Sequence, residues 1–505
     1  MTEQGNNLSI QKLATGIPGF DLVASGGIPE GRTTLVAGTA GSGKTVFAAQ
    51  LLAEGIEKYD QAGVFVTFEE SAEDIRRNII SLGWDVSRWE AEGKWVFVDA
   101  SPLINEDALI IGEYDLGALL ARMENAVKKV NAGRLVMDSL GAVFSRFDDR
   151  TLVRSELLRI AFVLKELGVT SLMTAERGHD YGDLTRFNVE GFVADNVIVL
   201  RNILEAGKRR RTLEILKFRG TSHHKGEYPF TITPGEGVVI IPLSSLELKQ
   251  RSSNVRISSG NQDLDEMCGG GFFRDSVILV SGATGTGKTL MSTEFIGGGV
   301  ASGEKCLLFA FEESREQLFR NATGWGHDFQ KMEEEGLLRV ICAYPEVAGL
   351  EDHLLNMRSA MQEIQPHRVA VDSLSALERI STIKGFREFI IGLTSFIKHQ
   401  EIAGLFTSTT PSLMGGTSVT EAHISTITDS IILLRYVEMY GEMRRGVTVL
   451  KMRGSRHDKN IREFTIDDHG MHIGKPFRNV NGILAGRPSQ VKPSDLERLD
   501  RMFSE

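Results

Sequence analysis

In the first half of the chain, short apolar runs such as "TTLVAG", "GVFVTFEE", "RLVMDS" and "VTSLMTAE" alternate with longer stretches such as "SELLRIAFVLKELG", where apolar residues recur at helical period. Unbroken apolar runs predict strands buried on both faces, and the periodic stretches predict the helices that cover them. Strand and helix in alternation predict an α/β fold, a mostly parallel sheet flanked by helices. No apolar run approaches the length that spans a bilayer, and the opening "MTEQGNNLSIQKLATG" has neither a basic segment before an apolar core nor a cleavage-like site. The expectation is a cytoplasmic protein without a membrane segment.

The pattern then repeats. "LVAGTAGSGKT", ending at Thr45, returns as "LVSGATGTGKT", ending at Thr289; "FVTFEES" returns as "LFAFEES", "VMDSL" as "AVDSL", and "LKFRGTSHHKG" as "LKMRGSRHDKN". Lys288 − Lys44 is 244, Glu312 − Glu69 is 243, and both Asp372 − Asp138 and Lys451 − Lys217 are 234, so one substantial length change separates the copies. Repeats of this size are whole domains rather than solenoid units. The predicted organisation is a first domain over residues 1–245, a second over 246–486 and a tail over 487–505, joined near the polar stretch "LELKQRSSNVRISSG".

Charge and cysteines narrow the classes. The 67 acidic and 57 basic residues leave a net charge of −10, which weighs against a nucleic-acid coat. Cys268, Cys306 and Cys342 form neither an even disulfide framework nor a paired metal spacing, and read as core thiols of a reducing compartment.

Two segments carry the clearest chemistry. Gly38 to Thr45 and Gly282 to Thr289 both satisfy G-x-x-x-x-G-K-[ST], each after an apolar strand and before a helical pattern. Glycines such as Gly41, Gly43, Gly285 and Gly287 let backbone amides turn inward around phosphates, with Ser42, Thr284 and Thr286 beside them. Lys44 and Lys288 reach the outer phosphates, and the Thr45 and Thr289 hydroxyls suit Mg²⁺. Asp138 and Asp372, each ending an apolar strand, suit a direct or outer role at the same ion. The doublets Glu69-Glu70 and Glu312-Glu313 read either as solvated loop acids or as carboxylates that orient or deprotonate a nucleophile, water in one copy and a hydroxyl in the other. Lys217 and Arg219, like Lys451 and Arg453, sit two apart on one face of an extended strand; they read as a surface basic strand or as cations for a triphosphate, donated from a neighbouring subunit in the manner of an arginine finger. "KRRRT" at 208–212 reads as a solvated turn.

The copies differ at "HISTITDS", residues 423–430. Laid without gaps on the offset of 234, Asp429 falls on Asp195, and His423, Ser425, Thr426 and Thr428 face Val189, Gly191, Phe192 and Ala194. If the hydroxyls served only to open the following strand, the first copy would need them too. They read either as local caps or as phosphoryl acceptors of a domain that modifies itself.

These residues, with "RSSNVRISSG", "LDEMCGGGFF", "VDSLSAL" and "AHISTITDSIILL", resemble the KaiC family of circadian clock protein kinases over nearly the whole length. The resemblance implies two tandem RecA-like P-loop NTPase domains assembled as a double-ringed homohexamer, with ATP and Mg²⁺ between neighbouring subunits. It implies slow ATP hydrolysis in the first ring, served by Glu69 and Glu70, and autophosphorylation and dephosphorylation in the second, served by Glu312 and Glu313, with Glu312 also a metal ligand. The implied acceptors are Ser425 and Thr426, with Thr420 a nearby third hydroxyl. Implied nucleotide contacts are Ser81, Lys217, Phe218, Arg219, Thr221, His223 and Thr233 in the first domain. In the second they are Leu290, Trp325, Lys451, Met452, Arg453, Ser455, His457 and Lys459. Pro234 stands where the family has an aspartate near the nucleotide. The tail "RPSQVKPSDLERLDRMFSE" is shorter and differently composed from the family's docking segment for the activator KaiA, so dependence on a KaiA-like protein is not carried over; a KaiB-like partner is.

Two other classes share the phosphate loops. A RecA-like DNA motor or recombinase needs a positively charged surface, which the acidic balance disfavours. A nucleotide-dependent scaffold would hold ATP without needing its turnover.

Overall fold

The computed structural model describes residues 10–100, 116–141, 150–183, 193–205, 207–242, 253–410, 424–478, 480–483 and 489–490. The chain divides into two compact units, Met1–Leu246 and Glu247–Glu505. The first part of the polar joining stretch, residues 246–252, lies outside the described residues.

The first unit is built on β1 (Thr33–Gly38), α1 (Lys44–Tyr59), β2 (Gly63–Thr67), α2 (Ala72–Ser81), β3 (Trp95–Asp99), α3 (Leu116–Val130), β4 (Arg134–Asp138), α4 (Arg150–Glu166), β5 (Thr170–Glu176), β6 (Asn196–Glu205), β7 (Lys208–Phe218), β8 (Glu227–Thr233) and β9 (Gly237–Ile240). These nine strands form one sheet in the order β9-β8-β7-β6-β1-β5-β4-β2-β3. The pairings from β6 through β1 to β3 are parallel, and those from β6 to β9 antiparallel. Every residue of β1, β2 and β4 is buried, as their unbroken apolar runs predict for strands covered on both faces. Ile198, Val36, Leu172, Val136 and Phe65 belong to the core beneath α1, while Val199, Leu35, Met173 and Met137 belong to the core beneath α3 and α4.

The second unit repeats this plan with β10 (Val277–Gly282), α5 (Lys288–Ala301), β11 (Cys306–Ala310), α6 (Arg315–Gly324), β12 (Leu338–Cys342), α7 (Leu350–Ile364), β13 (Arg368–Asp372), α8 (Leu374–Arg379), α9 (Ile383–His399), β14 (Ala403–Thr409), β15 (Ser430–Met439), β16 (Glu442–Met452), β17 (Arg462–Asp467) and β18 (Gly470–Pro476). The strand order is β12-β11-β13-β14-β10-β15-β16-β17-β18. The two-domain α/β architecture expected from the repeat is therefore present. No described helix is long and apolar enough to cross a membrane.

Register refines the overlay of the two copies. Val36 lies opposite Thr174 and Ile198, and Val280 opposite Thr407 and Ile432. Ile432 − Ile198 is 234, but Thr407 − Thr174 is 233, so the overlay between Asp138 and Asp195 is not gap-free. Two one-residue shifts of opposite sign cancel before the pair Asp195/Asp429, whose amides bond the equivalent carbonyls of Thr33 and Val277.

"KRRRT" corrects the sequence reading. It is not a turn but the first part of β7, paired with β6 from Lys208 opposite Glu205 to Thr212 opposite Arg201. Four cationic side chains in five residues resemble a loop, yet an antiparallel strand needs only a paired backbone.

Candidate nucleotide and phosphoryl-transfer site

Each phosphate loop leaves the carboxyl end of a central strand and opens directly into a helix. Gly41 and Gly43 have φ of 71° and 92°, and Gly285 and Gly287 of 78° and 103°, a left-handed region that side chains with a Cβ disfavour. Neither α1 nor α5 has a side-chain cap at its start, whereas Ser71 caps α2 and Ser314 caps α6. The open amides and the positive end of the helix dipole suit an anion. Lys44 Nζ donates to the carbonyls of Gly38 (3.0 Å) and Thr39 (3.1 Å), and Lys288 Nζ to that of Ala283 (2.9 Å). Burial holds both ammonium groups below the usual lysine range, against Glu176, Asp138 and Glu69 in the first unit and Asp372 and Glu312 in the second. Ser42 Oγ is buried without a hydrogen-bond partner. Thr286 Oγ1 donates to Ala283 O at 2.8 Å.

Beside each lysine a carboxylate meets a loop hydroxyl. Asp138 bonds the hydroxyls of Thr174 and Thr45, and Asp372 those of Thr289 and Thr407. Burial raises both aspartates above the usual carboxylate range, and the hydroxyls and Lys44 or Lys288 oppose it. The peptide bonds that follow, Asp138–Ser139 and Asp372–Ser373, are both cis. A buried carboxylate and a hydroxyl side by side form an all-oxygen donor set, the kind Mg²⁺ takes.

The glutamate doublets stand at this same end. Ser139 Oγ donates to Glu69 Oε1 at 2.7 Å, and Ser373 Oγ to Glu312 Oε2 at 2.9 Å; Glu312 Oε1 also accepts from Arg379 at the end of α8. The second members are shifted upward. Burial, then Asp138, Asp74 and Glu69, raise Glu70, and burial, then Asp372 and Glu312, raise Glu313. Asn78 Nδ2 lies 3.3 Å from Glu70 Oε2, and Asn321 Nδ2 3.5 Å from Glu313 Oε2.

The remaining nucleotide candidates do not gather around one loop. Thr233 ends β8 next to Ile232, whose Cδ1 lies 2.8 Å from where a Cβ on Gly43 would stand. Ser81 ends α2, and the next residue, Leu82, accepts from Gly235 N (2.8 Å) in the turn that follows β8 and holds Pro234. Leu290 is buried in the first turn of α5, and Trp325 follows α6 and packs on the second core. By contrast Lys217 and Phe218 lie opposite Val197 and Asn196, and Asn196 is level with Thr34 near the start of β1. Gly38, where the phosphate loop begins, is four residues further along, about 13 Å at strand rise. Lys451 and Met452 repeat this opposite Ile431 and Ser430, with Ser430 level with Ile278. Arg219, Thr221 and His223, and in the second unit Arg453, Ser455, His457 and Lys459, continue from that amino end. There His224 N bonds Val23 O, and Asp458 N bonds Met267 O. Both His223 and His457 have a buried Nδ1 without a hydrogen-bond partner. Within one chain, each candidate set is thus split between opposite ends of its sheet.

The candidate acceptor segment belongs to the amino end. Ile424–Thr426 forms a 3₁₀ turn and β15 begins only at Ser430, so the hydroxyls precede the strand rather than open it. Thr426 is exposed, and Thr428 is buried with its Oγ1 unpartnered. Arg453 Nη2 donates to Thr426 O (2.9 Å) and Lys451 Nζ to Thr428 O (2.6 Å); Lys217 Nζ makes the matching bond to Ala194 O (2.8 Å). Thr420, His423 and the Ser425 side chain lie outside the described residues, as do residues 491–505 of the tail.

One arginine pair escaped the sequence reading. Arg211 Nε donates to Gly41 O (3.2 Å), and its counterpart Arg445 stands by Tyr436, whose Oη would be 2.8 Å from a Cβ on Gly285. Arg445 Nε is buried without a partner. The spacing carries the signal, since Arg445 − Arg211 is again 234, but a turn expected over "KRRRT" conceals it.

Comparison with known proteins agrees with this geometry. The family model described as "ATPase: KaiC" matches residues 13–245 and again 257–477. The chain is 67% identical to the circadian clock protein KaiC3 of Synechocystis sp., over 98% of both chains. It is 54% identical to the circadian clock oscillator protein KaiC of Thermostichus vulcanus, over 99% of this chain and 96% of that one, and 52% identical to that of Synechococcus elongatus, over 99% and 97%. With a nucleotide-binding ATPase domain matched twice and relatives this similar along their full length, the chain belongs to the KaiC family.

Proposed function

We propose that this chain is an ATP-hydrolysing serine/threonine autokinase and autophosphatase of a circadian-type timing system, working as a double-ringed homohexamer with ATP between neighbouring subunits. The observation that carries the reading is the division of each candidate set between opposite ends of its sheet. A nucleotide can meet both sets only if the phosphate-loop end of one copy faces the Lys217–His223 end, or the Lys451–Lys459 end, of another. Such a head-to-tail contact closes a ring when its rotation closes.

In this arrangement the loop amides with Lys44 or Lys288 hold the outer phosphates. Thr45 with Asp138, and Thr289 with Asp372 and Glu312, would hold Mg²⁺, which neutralises phosphate charge. In the first unit Glu69, oriented by Ser139, and Glu70 direct a water and take its proton. In the second, Glu312 and Glu313 face a hydroxyl of the neighbour's Ser425 or Thr426. The new bond joins that oxygen to the γ-phosphorus, the bond to the β-bridging oxygen breaks, ADP leaves and the proton passes to a glutamate. The clock-protein names of the relatives support a timing role; a KaiB-like partner and a cytoplasmic setting belong to the same proposal.

The test is to incubate the full chain with Mg·ATP and follow intact mass, phosphopeptides and native assembly mass together. Phosphate on Ser425 or Thr426 of a hexamer is expected, and phosphopeptides found only elsewhere would defeat the reading. Glu69→Gln should lower ADP release, whereas release equal to the unsubstituted chain would favour a scaffold.

A further inference from the structure

Ile424 and Thr428 are buried on either side of an exposed Thr426, so the acceptor residues form a short arch anchored at both feet. The turn closes on itself through Ile427 N to Ile424 O (2.9 Å) and Thr428 N to Ile424 O (3.3 Å). Its exit is fixed by Asp429. The Asp429 amide donates to Val277 O (2.9 Å), its carbonyl accepts from Arg453 N (3.0 Å), and its carboxylate accepts from Val277 N (2.9 Å) and Lys398 Nζ (2.8 Å). The Arg453 guanidinium stands 3.6 Å from the same carboxylate while its Nη2 holds Thr426 O. One side chain therefore joins the start of β10, the end of α9 and the cation that grips the acceptor backbone. The first copy, whose sequence has no hydroxyls to present, keeps the arginine contact, with Arg219 at 3.3 Å from Asp195 as the counterpart of Arg453, but its second cation is the Arg32 guanidinium, also at 3.3 Å, where the second copy uses Lys398.

Adjacent residues of a 3₁₀ turn point about 120° apart, because the turn has about three residues per revolution. The two acceptor positions therefore leave the backbone in different directions, and the orientation of the arch decides which position lies in line with a phosphoryl donor. We propose that Asp429 is a positioning residue that sets this orientation through Arg453 and Lys398, and so determines which of Ser425 and Thr426 is phosphorylated faster. The inference rests on the autokinase reading above.

The experiment uses the full chain with Mg·ATP and measures the initial rates of phosphate appearance on Ser425 and Thr426 separately by site-resolved mass spectrometry. Asp429→Asn keeps the shape and an acceptor for the Val277 amide but removes the charge; Lys398→Met leaves the carboxylate in place without its ammonium partner. In both, the ratio of the two initial rates should change by at least about threefold, the scale of one weakened charge-assisted hydrogen bond. A merely structural role would slow both sites together, so an unchanged ratio in both variants overturns the inference whatever the total incorporation. If Asp429→Asn fails to assemble, Lys398→Met alone decides. Absence of phosphate from both sites in the unsubstituted chain would instead remove the autokinase reading, and this inference with it.

Discussion

Gln50 and Glu294 occupy the same position of the helix that follows each phosphate loop, and they meet their surroundings with different chemistry. Gln50 donates through Nε2 to Glu236 O (2.8 Å) and accepts through Oε1 from Val238 N (2.7 Å), so an amide satisfies the first unit completely. Glu294 accepts from Met471 N (2.7 Å) and Asn261 Nδ2 (3.2 Å), and burial pushes its carboxyl up to about 7 despite those donors and nearby His472. Below the ordinary glutamate value, folded and unfolded chains both carry the proton. Between that value and about 7 the folded chain keeps a proton that the unfolded chain has released, so stability falls as pH rises and levels off above about 7. Glu294→Gln removes this slope. Relative to the unsubstituted chain, the variant should gain on the order of 3 kcal/mol between pH 5 and pH 8. Melting temperatures of both proteins across that range measure it, and a constant difference would refute it.

At the scale of elements, sequence and structure agree where a local signal has fixed spacing, whereas "KRRRT", a bare run of charge, misleads. The loops of Gly38–Thr45 and Gly282–Thr289 are legible because glycine, lysine and hydroxyl must stand at fixed spacing between a strand and a helix. Asp138 and Asp372 are legible because each ends a buried strand and recurs. What is not legible depends on strand direction. The chain turns antiparallel between β6 and β7, and again between β15 and β16, which carries Lys217 and Lys451 to the end of the sheet away from their own loops. The register also shifts at Val197/Ile198 and at Ile431/Ile432, leaving exposed Leu216 and Leu450 as extra residues just before those lysines. A bulge of this kind re-aims the side chain that follows it, and no periodicity in the sequence announces it. The helices after the loops give an element-scale prediction. α1 and α5 start without side-chain caps, so a bound triphosphate should serve as their cap. Nucleotide at one hundred times its dissociation constant should stabilise the fold by about 2.7 kcal/mol. Thermal denaturation should show this for the unsubstituted chain but not for Lys44→Ala/Lys288→Ala, and an equal rise in both would place the nucleotide elsewhere.

At the scale of the whole molecule, the proposed head-to-tail assembly means that each unit of a chain would supply half of two different active centres. In the second unit the phosphate loop stands at one end of the sheet, while the proposed acceptor arch on Arg453 and Lys451 stands at the other. A chain with a dead phosphate loop should therefore still be a substrate, and a chain without acceptors should still be an enzyme. Lys288→Ala alone should stay unmodified, since every loop in its second ring is disabled, and Ser425→Ala/Thr426→Ala alone has no hydroxyl to modify. When the two are mixed under conditions that exchange subunits, phosphate should appear on Ser425 or Thr426 of the Lys288→Ala chain, the only chain present with those hydroxyls. Incorporation should rise with the fraction of acceptor-free partner and then fall as acceptors are diluted, because transfer needs one chain of each kind side by side in the correct order. Transfer within a chain predicts no phosphate at any mixing ratio. A mixture that stays unmodified after native mass spectrometry has shown mixed assemblies would therefore exclude transfer between subunits, and would require the arch to reach its own loop across about 13 Å of strand.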